Sequence, residues 1–204
     1  MQTQSHLLLT AFVADRAKHK TTMPIIMTAL LVGAVLPDIP FTLLTIAGMV
    51  WFSWFVPLPV ADTSVADTSV TGLSVMEYLH FDLFFNDPFW IISHNTFHSL
   101  VVNALLIGLG WWAIRQQAKW GYPLFWLAVS TQAHTVIDIV THNADGPLLF
   151  FPLNWHYRFQ SPISYWEAAH YGWAFMTFEY TINIALLIYF GVRWWRRSKS
   201  KSTT

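Results

Sequence analysis

The 204-residue sequence contains no cysteine and few charged side chains, which make up only 11% of the chain. The absence of cysteine excludes a disulfide-stapled scaffold and any metal site that depends on thiolates. Soluble domains are about 25% charged, so eleven acidic and eleven basic residues are too few to cover a soluble surface. A net charge of zero also argues against a basic nucleic-acid-binding domain, and no nucleic-acid partner is expected.

What the chain has instead is apolar and aromatic surface, since 54% of its residues are hydrophobic and 17% are aromatic. A transmembrane helix needs about 20 mostly apolar residues. Uncharged or nearly uncharged stretches predict such helices over 88–114, 120–141 and 172–192, and shorter helices over about 5–17 and 23–37. Residues 41–58 are expected to form a re-entrant, kinked or interfacial segment. The sequence therefore predicts an all-α, polytopic membrane bundle with one domain over residues 1–204.

The basic residues indicate the orientation of the bundle. Ten of the eleven lie in three groups, at 16–20, 115–119 and 193–201, and the positive-inside rule places all three in the cytoplasm. The C-terminus, with a basic tail over 193–204, is then cytoplasmic. Residues 61–87 carry five acids and no base, which predicts an external loop that includes the tandem repeat 61–70.

Histidines and carboxylates recur at helical spacing near the predicted outer surface. His134, Asp138 and His142 are four residues apart and would share one helix face, with Asp145 following before Gly146-Pro147 ends the helix.

A second pair with the same spacing, His94 and His98, lies on the outer half of the helix over 88–114. The topology derived from the basic residues brings Asp38 and His6 to the same level. Ionisable groups inside a membrane are costly and usually functional. We therefore expect a metal site at His6, Asp38, His94, His98, His134, Asp138 and His142. Structural polar packing is the alternative.

Imidazole and carboxylate ligands favour zinc or another divalent ion, and one to three ions are expected. Such an ion activates water for attack on an ester or phosphoryl group. Asp38 and Asp145 are the candidate general bases, and Arg158 is a candidate contact for an anionic substrate. Glu167 and His170 are possible additional ligands. His80 has no partner at helical spacing and is expected at the surface or the membrane interface.

The order of these motifs resembles a known bacterial family. His6, Leu36-Pro37-Asp38-Ile39, His94-Asn-Thr-Phe-His98 and His134-x-x-x-Asp138-x-x-Thr141, followed by Gly146, Pro147 and Pro152, resemble the LexA-regulated, membrane-bound metal-dependent hydrolases of the inner membrane. The resemblance covers about residues 5–153. The chain departs from the family pattern at Pro40 and in the spacing of His94 and His98. The family is also distantly similar to zinc-dependent phospholipase C, which implies phosphoester hydrolysis with Asp38, His134, Asp138 and His142 as ligands.

The residues and the resemblance together predict a membrane-bound hydrolase of a phosphoester or lipid-like ester, with its site on the outer side of the inner membrane. Membrane lipid and a small-molecule or lipid phosphoester are the expected partners. A metal or proton transporter is the main alternative, and a structural membrane protein is a third. A transporter should place ionisable groups at several depths, whereas here they lie at one level.

Overall fold

The computed structural model describes residues 1–56 and 74–201, and the tandem repeat lies outside them. The described chain is helical, which confirms the predicted all-α membrane fold. Its longer helices are α1 (Thr3–Ala17), α2 (Met27–Val35), α3 (Asp38–Trp54), α6 (Pro88–Asn95), α7 (Leu100–Arg115), α8 (Gly121–Thr141) and α9 (Gly172–Lys201). Between α3 and α6 lie the short helices α4 (Val75–Glu77) and α5 (Phe84–Asn86), joined by a π-helix over Tyr78–Leu83.

Helix α8 forms the centre of the bundle. It packs against α7 on one side and α2 on the other, and α2 contacts α1, which in turn contacts α9. Helix α3 instead packs against α6 and the helical turns that follow residue 74. The site described below lies where these two groups of helices meet.

Two helix pairs are bent. Helices α2 and α3 meet at 46° across Leu36-Pro37, as expected for proline, which removes a backbone donor. The segment over 41–58 was expected to be re-entrant, kinked or interfacial, and its residues 41–54 belong to α3, the helix that follows this bend. The pair α6 and α7 meets at 42° across residues 96–99, so the predicted continuous helix over 88–114 is wrong. Here the Ser99 side chain accepts a hydrogen bond from the Val102 amide and starts a new helix.

Helix α8 ends at Thr141, as predicted for the helix over 120–141, and does not continue to Gly146-Pro147. Its last carbonyl groups are satisfied by the segment that follows the helix. Tyr165 donates its amide to the Thr141 carbonyl, and the Ser161 hydroxyl donates to the Val140 carbonyl. The connection over 142–171 thus folds back on the end of α8 and covers one side of the site.

Two predicted flanking segments are more helical than expected. Within the predicted loop over 61–87, a capping box of Ser74 and Glu77 begins helical turns that continue to Asn86. The basic segment after residue 192 continues α9 as helix to Lys201.

Helices α8 and α9 are each long and apolar enough to cross a membrane, and there are up to four crossings in the described residues if each bent pair is one span. The distribution of polar and apolar side chains between the interior and the surface is the reverse of that in a soluble protein. Many polar side chains are buried, whereas apolar residues such as Trp54 and Leu105 are exposed. This arrangement agrees with a lipid-facing exterior.

Candidate metal centre

Four side chains from separate parts of the chain converge inside the bundle. Asp38 is the first residue of α3, His98 lies in the break between α6 and α7, and His134 and Asp138 are one turn apart on α8. One potential ligand atom of each residue lies within 4.8 Å of those of the other three. This group, here called the four-residue cluster, could hold a metal ion.

Each imidazole of the cluster lies between the two carboxylates. His98 Nε2 is 3.5 Å from Asp38 Oδ1 and 3.4 Å from Asp138 Oδ2. His134 Nε2 is 3.4 Å and 3.0 Å from the same two oxygens. Ligands of a tetrahedral zinc ion, at about 2.1 Å from the metal, are about 3.4 Å from one another. The nitrogen-to-oxygen spacing therefore fits one such ion.

Backbone carbonyl groups fix the orientation of both imidazoles. His134 Nδ1 donates to the Ala34 carbonyl at 2.8 Å, and His98 Nδ1 donates to the His94 carbonyl at 3.0 Å. Because a carbonyl only accepts, each Nδ1 carries the proton, and each Nε2 faces the carboxylates. A lone pair in that position needs a proton or a cation between it and the carboxylates. His134 Nε2 is buried without a hydrogen-bond partner among the described residues, which fits a metal ligand.

Three of the predicted ligands border the cluster without belonging to it. His6 stacks on His134 with ring centroids 3.6 Å apart, and its Nε2 is 2.9 Å from Asp138 Oδ1. His94 stacks on His98 at 4.2 Å. His142 follows the end of α8, and the backbone turns to an extended conformation there, so its Nδ1 is 3.9 Å from Asp138 Oδ1. The predicted shared face of α8 is therefore limited to His134 and Asp138.

A cavity of 460 Å³ opens onto the cluster. One part of its wall is polar, with Asp38, Asp138, His142 and Asp145, and another is formed by aromatic side chains. These aromatic residues are Phe41, Phe81, Phe84, Phe85, Tyr165 and Trp166. The cavity can therefore accommodate a molecule with one polar and one apolar part.

Asp145, a predicted base, lines this cavity. Its Oδ2 accepts a hydrogen bond from Trp166 Nε1 at 2.9 Å, whereas its Oδ1 is buried without a partner among the described residues. One carboxylate oxygen of Asp145 therefore has no proton donor among the described residues.

Arg158, the predicted substrate contact, is held against the aromatic wall. Its guanidinium donates to the Gly146 carbonyl and lies over the rings of Phe84 and Phe85, at 5.1 Å and 5.2 Å from their centroids. Burial lowers the pKa of Arg158 to about 10, so the side chain stays cationic at neutral pH. Burial also raises the pKa of the nearby Tyr165 hydroxyl, which keeps that group neutral.

Glu167 and His170 are paired with each other, and the structure does not bring them into the cluster. His170 Nε2 is 3.9 Å from Glu167 Oε2. The cause is a tight turn before α9, in which the amides of His170 and Gly172 both donate to the Glu167 carbonyl.

Sequence reasoning missed two contributors to the site. His80 was expected at the surface or the membrane interface, but it lines the cavity and stacks on Phe41 at 5.1 Å. It lies in the π-helix, where the 3.6-residue period used to find partners does not hold. The Thr3 hydroxyl donates to Asp38 Oδ2, a contact for which the sequence carries no signal.

The protein-family comparison agrees with this membrane architecture. A family model described as YdjM inner membrane protein matches residues 1–200. The chain belongs to the YdjM inner membrane protein family. No curated protein and no solved structure matches it.

Membership of the YdjM family identifies a bacterial membrane protein, in agreement with the apolar helices. It confirms the coarser part of the resemblance drawn from the motifs. The match covers every residue of the four-residue cluster and of the segment over 142–171.

Proposed function

We propose that this YdjM family member is a membrane-embedded, metal-dependent hydrolase of phosphoesters. The observation that carries the proposal is the convergence of two carboxylates and two backbone-oriented imidazoles at the end of a 460 Å³ cavity. A set of two nitrogen and two oxygen ligands favours zinc among the common divalent ions. The motif resemblance to LexA-regulated metal-dependent hydrolases and, distantly, to zinc-dependent phospholipase C supports the same reaction class.

Asp38, His98, His134 and Asp138 would hold the first ion, and His6, His94 and His142 are close enough to accommodate up to two more. A bound divalent ion would supply an acidified water and polarise the phosphoryl oxygen. Asp145, which lines the cavity, would act as the general base, and Arg158 would contribute a fixed positive charge near the aromatic wall.

The cavity favours a lipid-like phosphoester as the substrate. Its polar part could take a phosphate group, and its phenylalanine rings could take an apolar chain. The basic groups at 16–20, 115–119 and 193–201 support a site that faces outward from the inner membrane, with the C-terminus in the cytoplasm.

Metal content tests the site. The full chain, purified in detergent, should contain about one or more zinc ions per molecule by elemental analysis, and His134→Ala and Asp138→Ala should lose them. His156→Ala is the matched control, because His156 is exposed and remote in sequence from the cluster. Equal metal content in all four proteins would contradict the proposed site.

Activity tests the reaction. We expect the protein to hydrolyse at least one of bis(p-nitrophenyl) phosphate, phosphatidylcholine and phosphatidic acid, and to lose this activity when a chelator removes the metal. Asp145→Asn should lower the rate about 10²- to 10⁴-fold while metal content stays unchanged, as expected for a general base. Stoichiometric metal without hydrolysis of any of these substrates would favour the transporter instead.

A further inference from the structure

A second cavity lies at the opposite end of α1, where this helix meets the last turns of α9. Its volume is 600 Å³, and four of its six lining residues are arginines. The lining consists of Arg16, Tyr189, Val192, Arg193, Arg196 and Arg197, here called the arginine groove. None of these six residues is acidic, so the groove presents a concentrated positive charge.

Two of the arginines are held in place by their neighbours. Arg193 pairs with the buried Asp15 and donates to the Tyr189 hydroxyl at 2.8 Å, and that hydroxyl donates to Asp15 at 2.9 Å. The guanidinium of Arg16 lies 5.3 Å from the centroid of the same Tyr189 ring. These contacts fix the side chains of Arg193 and Arg16 at the base of the groove.

The positive charge of the groove is only partly neutralised inside the protein. Asp15 also pairs with Lys18 at 2.6 Å, so one carboxylate serves two cations. Arg196 and Arg197 are exposed and form no ion pair within the described part of the chain. An anion bound between these side chains would relieve the repulsion among the guanidinium groups.

The position of the groove indicates that this anion is part of a lipid. Trp194 and Trp195, next to the groove, are 72% and 53% exposed, as is typical of side chains at the membrane interface. Two apolar side chains beside the arginines are exposed as well, namely Val192 in the groove and Val13, one turn before Arg16 on α1, at 43% and 61%. A phosphate in the groove would therefore lie beside apolar side chains of α1 and α9 that acyl chains can cover.

We propose that the arginine groove binds the phosphate headgroup of an anionic phospholipid, whose acyl chains lie against the exposed apolar side chains beside the groove on α1 and α9. Guanidinium groups bind phosphate oxygens in a bidentate manner, and Arg196 and Arg197 are free to do so. The lipid would fix the cytoplasmic end of α9 to α1. This site is separate from the four-residue cluster and does not depend on its function.

The test is a lipid titration of the full chain, purified in detergent and delipidated, followed by native mass spectrometry. The probes are dioleoylphosphatidylglycerol, dioleoylphosphatidylcholine and inorganic phosphate. Arg196→Ala/Arg197→Ala should bind phosphatidylglycerol about thirtyfold more weakly, since each basic residue near a membrane surface contributes about 1 kcal/mol. Lys20→Ala/Lys119→Ala removes the same charge outside the groove and should bind as the unaltered protein does.

Three results would overturn the proposal. Equal loss of binding in both double variants would mean that only net charge matters. Equal binding of phosphatidylcholine would mean that the anionic headgroup is not recognised. Displacement of phosphatidylglycerol by an equal concentration of inorganic phosphate would assign the groove to a free anion. Circular dichroism of both variants establishes that they are folded.

Discussion

Asp38 depends on a neighbour on α1 that completes its hydrogen bonding. Its Oδ1 faces His98 and His134, whereas its Oδ2 accepts from the Thr3 hydroxyl. The hydrogen bond to Thr3 therefore holds Asp38 Oδ2 outside the cluster and orients Oδ1 toward the imidazoles. Partners of this kind fix the orientation of a metal ligand and tune its basicity. Thr3 is therefore a positioning residue for the proposed metal site.

Thr3→Val keeps the shape of the side chain and removes this hydrogen bond. We expect zinc affinity to fall about 10- to 100-fold, because the carboxylate of Asp38 loses its fixed orientation. Competition with a zinc indicator dye measures the affinity. Thr177→Val is the control, since the Thr177 hydroxyl donates to the Trp173 carbonyl on the exposed side of α9. Equal affinity of the two variants would remove Thr3 from the site.

At the scale of elements, the close approach of α2 and α8 positions the cluster. The Ser130 hydroxyl donates to the Leu30 carbonyl, one turn before His134 donates to the Ala34 carbonyl. Between these contacts lies Gly33, where a Cβ atom would clash with the Leu127 carbonyl oxygen and lie 2.9 Å from Ser130 Cβ. The two backbones can approach this closely only because Gly33 has no side chain.

Gly33→Ala should separate α2 from α8. We expect a loss of stability of about 1–3 kcal/mol, as for other overpacked interiors, and weaker zinc binding because the Ala34 carbonyl moves away from His134. Thermal unfolding in detergent and the zinc titration provide the two measurements. Gly108→Ala is the matched control, because a Cβ atom there meets nothing within 4 Å. A midpoint as high in Gly33→Ala as in the control would contradict this packing argument.

At the scale of the whole molecule, polar groups gather inside the bundle and apolar groups face outward. The two bends position Asp38 and His98, because a helix that is interrupted inside the protein can present polar groups to a cavity. The segment over 142–171 then covers the end of α8 and adds Asp145, Tyr165 and Trp166 to the cavity wall. In the proposed orientation this segment faces outward and the arginine groove faces the cytoplasm.

The absence of native cysteine makes this orientation directly testable. Gln160→Cys, in the covering segment, should react with a membrane-impermeant maleimide in intact spheroplasts. Gln116→Cys, in the turn between α7 and α8, and Ser198→Cys, near the end of α9, should react only after permeabilisation. All three positions are exposed. Labelling of Ser198→Cys in intact cells, or protection of Gln160→Cys, would reverse the proposed orientation.

Local patterns in the sequence were sufficient for some of the helices and for part of the site. The uncharged stretches predicted α8 over 120–141 and the start of α9 at residue 172, close to the observed Gly121–Thr141 and Gly172. The pair His134 and Asp138 was also predictable, because residues four apart in one helix share a face whatever surrounds the helix. The paired spacing of His94 and His98 placed only His98 in the four-residue cluster, since the helix ends at Asn95 and the His94 ring stacks on His98 beside the cluster.

The sequence by itself determined membrane residence, the helical class and the chemical types in the site, because these depend on composition and on contacts within one helix. Only the tertiary structure decided which groups meet. Asp38, His98 and His134 are brought together by two bends and by the packing at Gly33, while His142 leaves the face of α8 because the helix ends one residue earlier. His80 and Thr3 joined the site through long-range packing, which no local periodicity encodes.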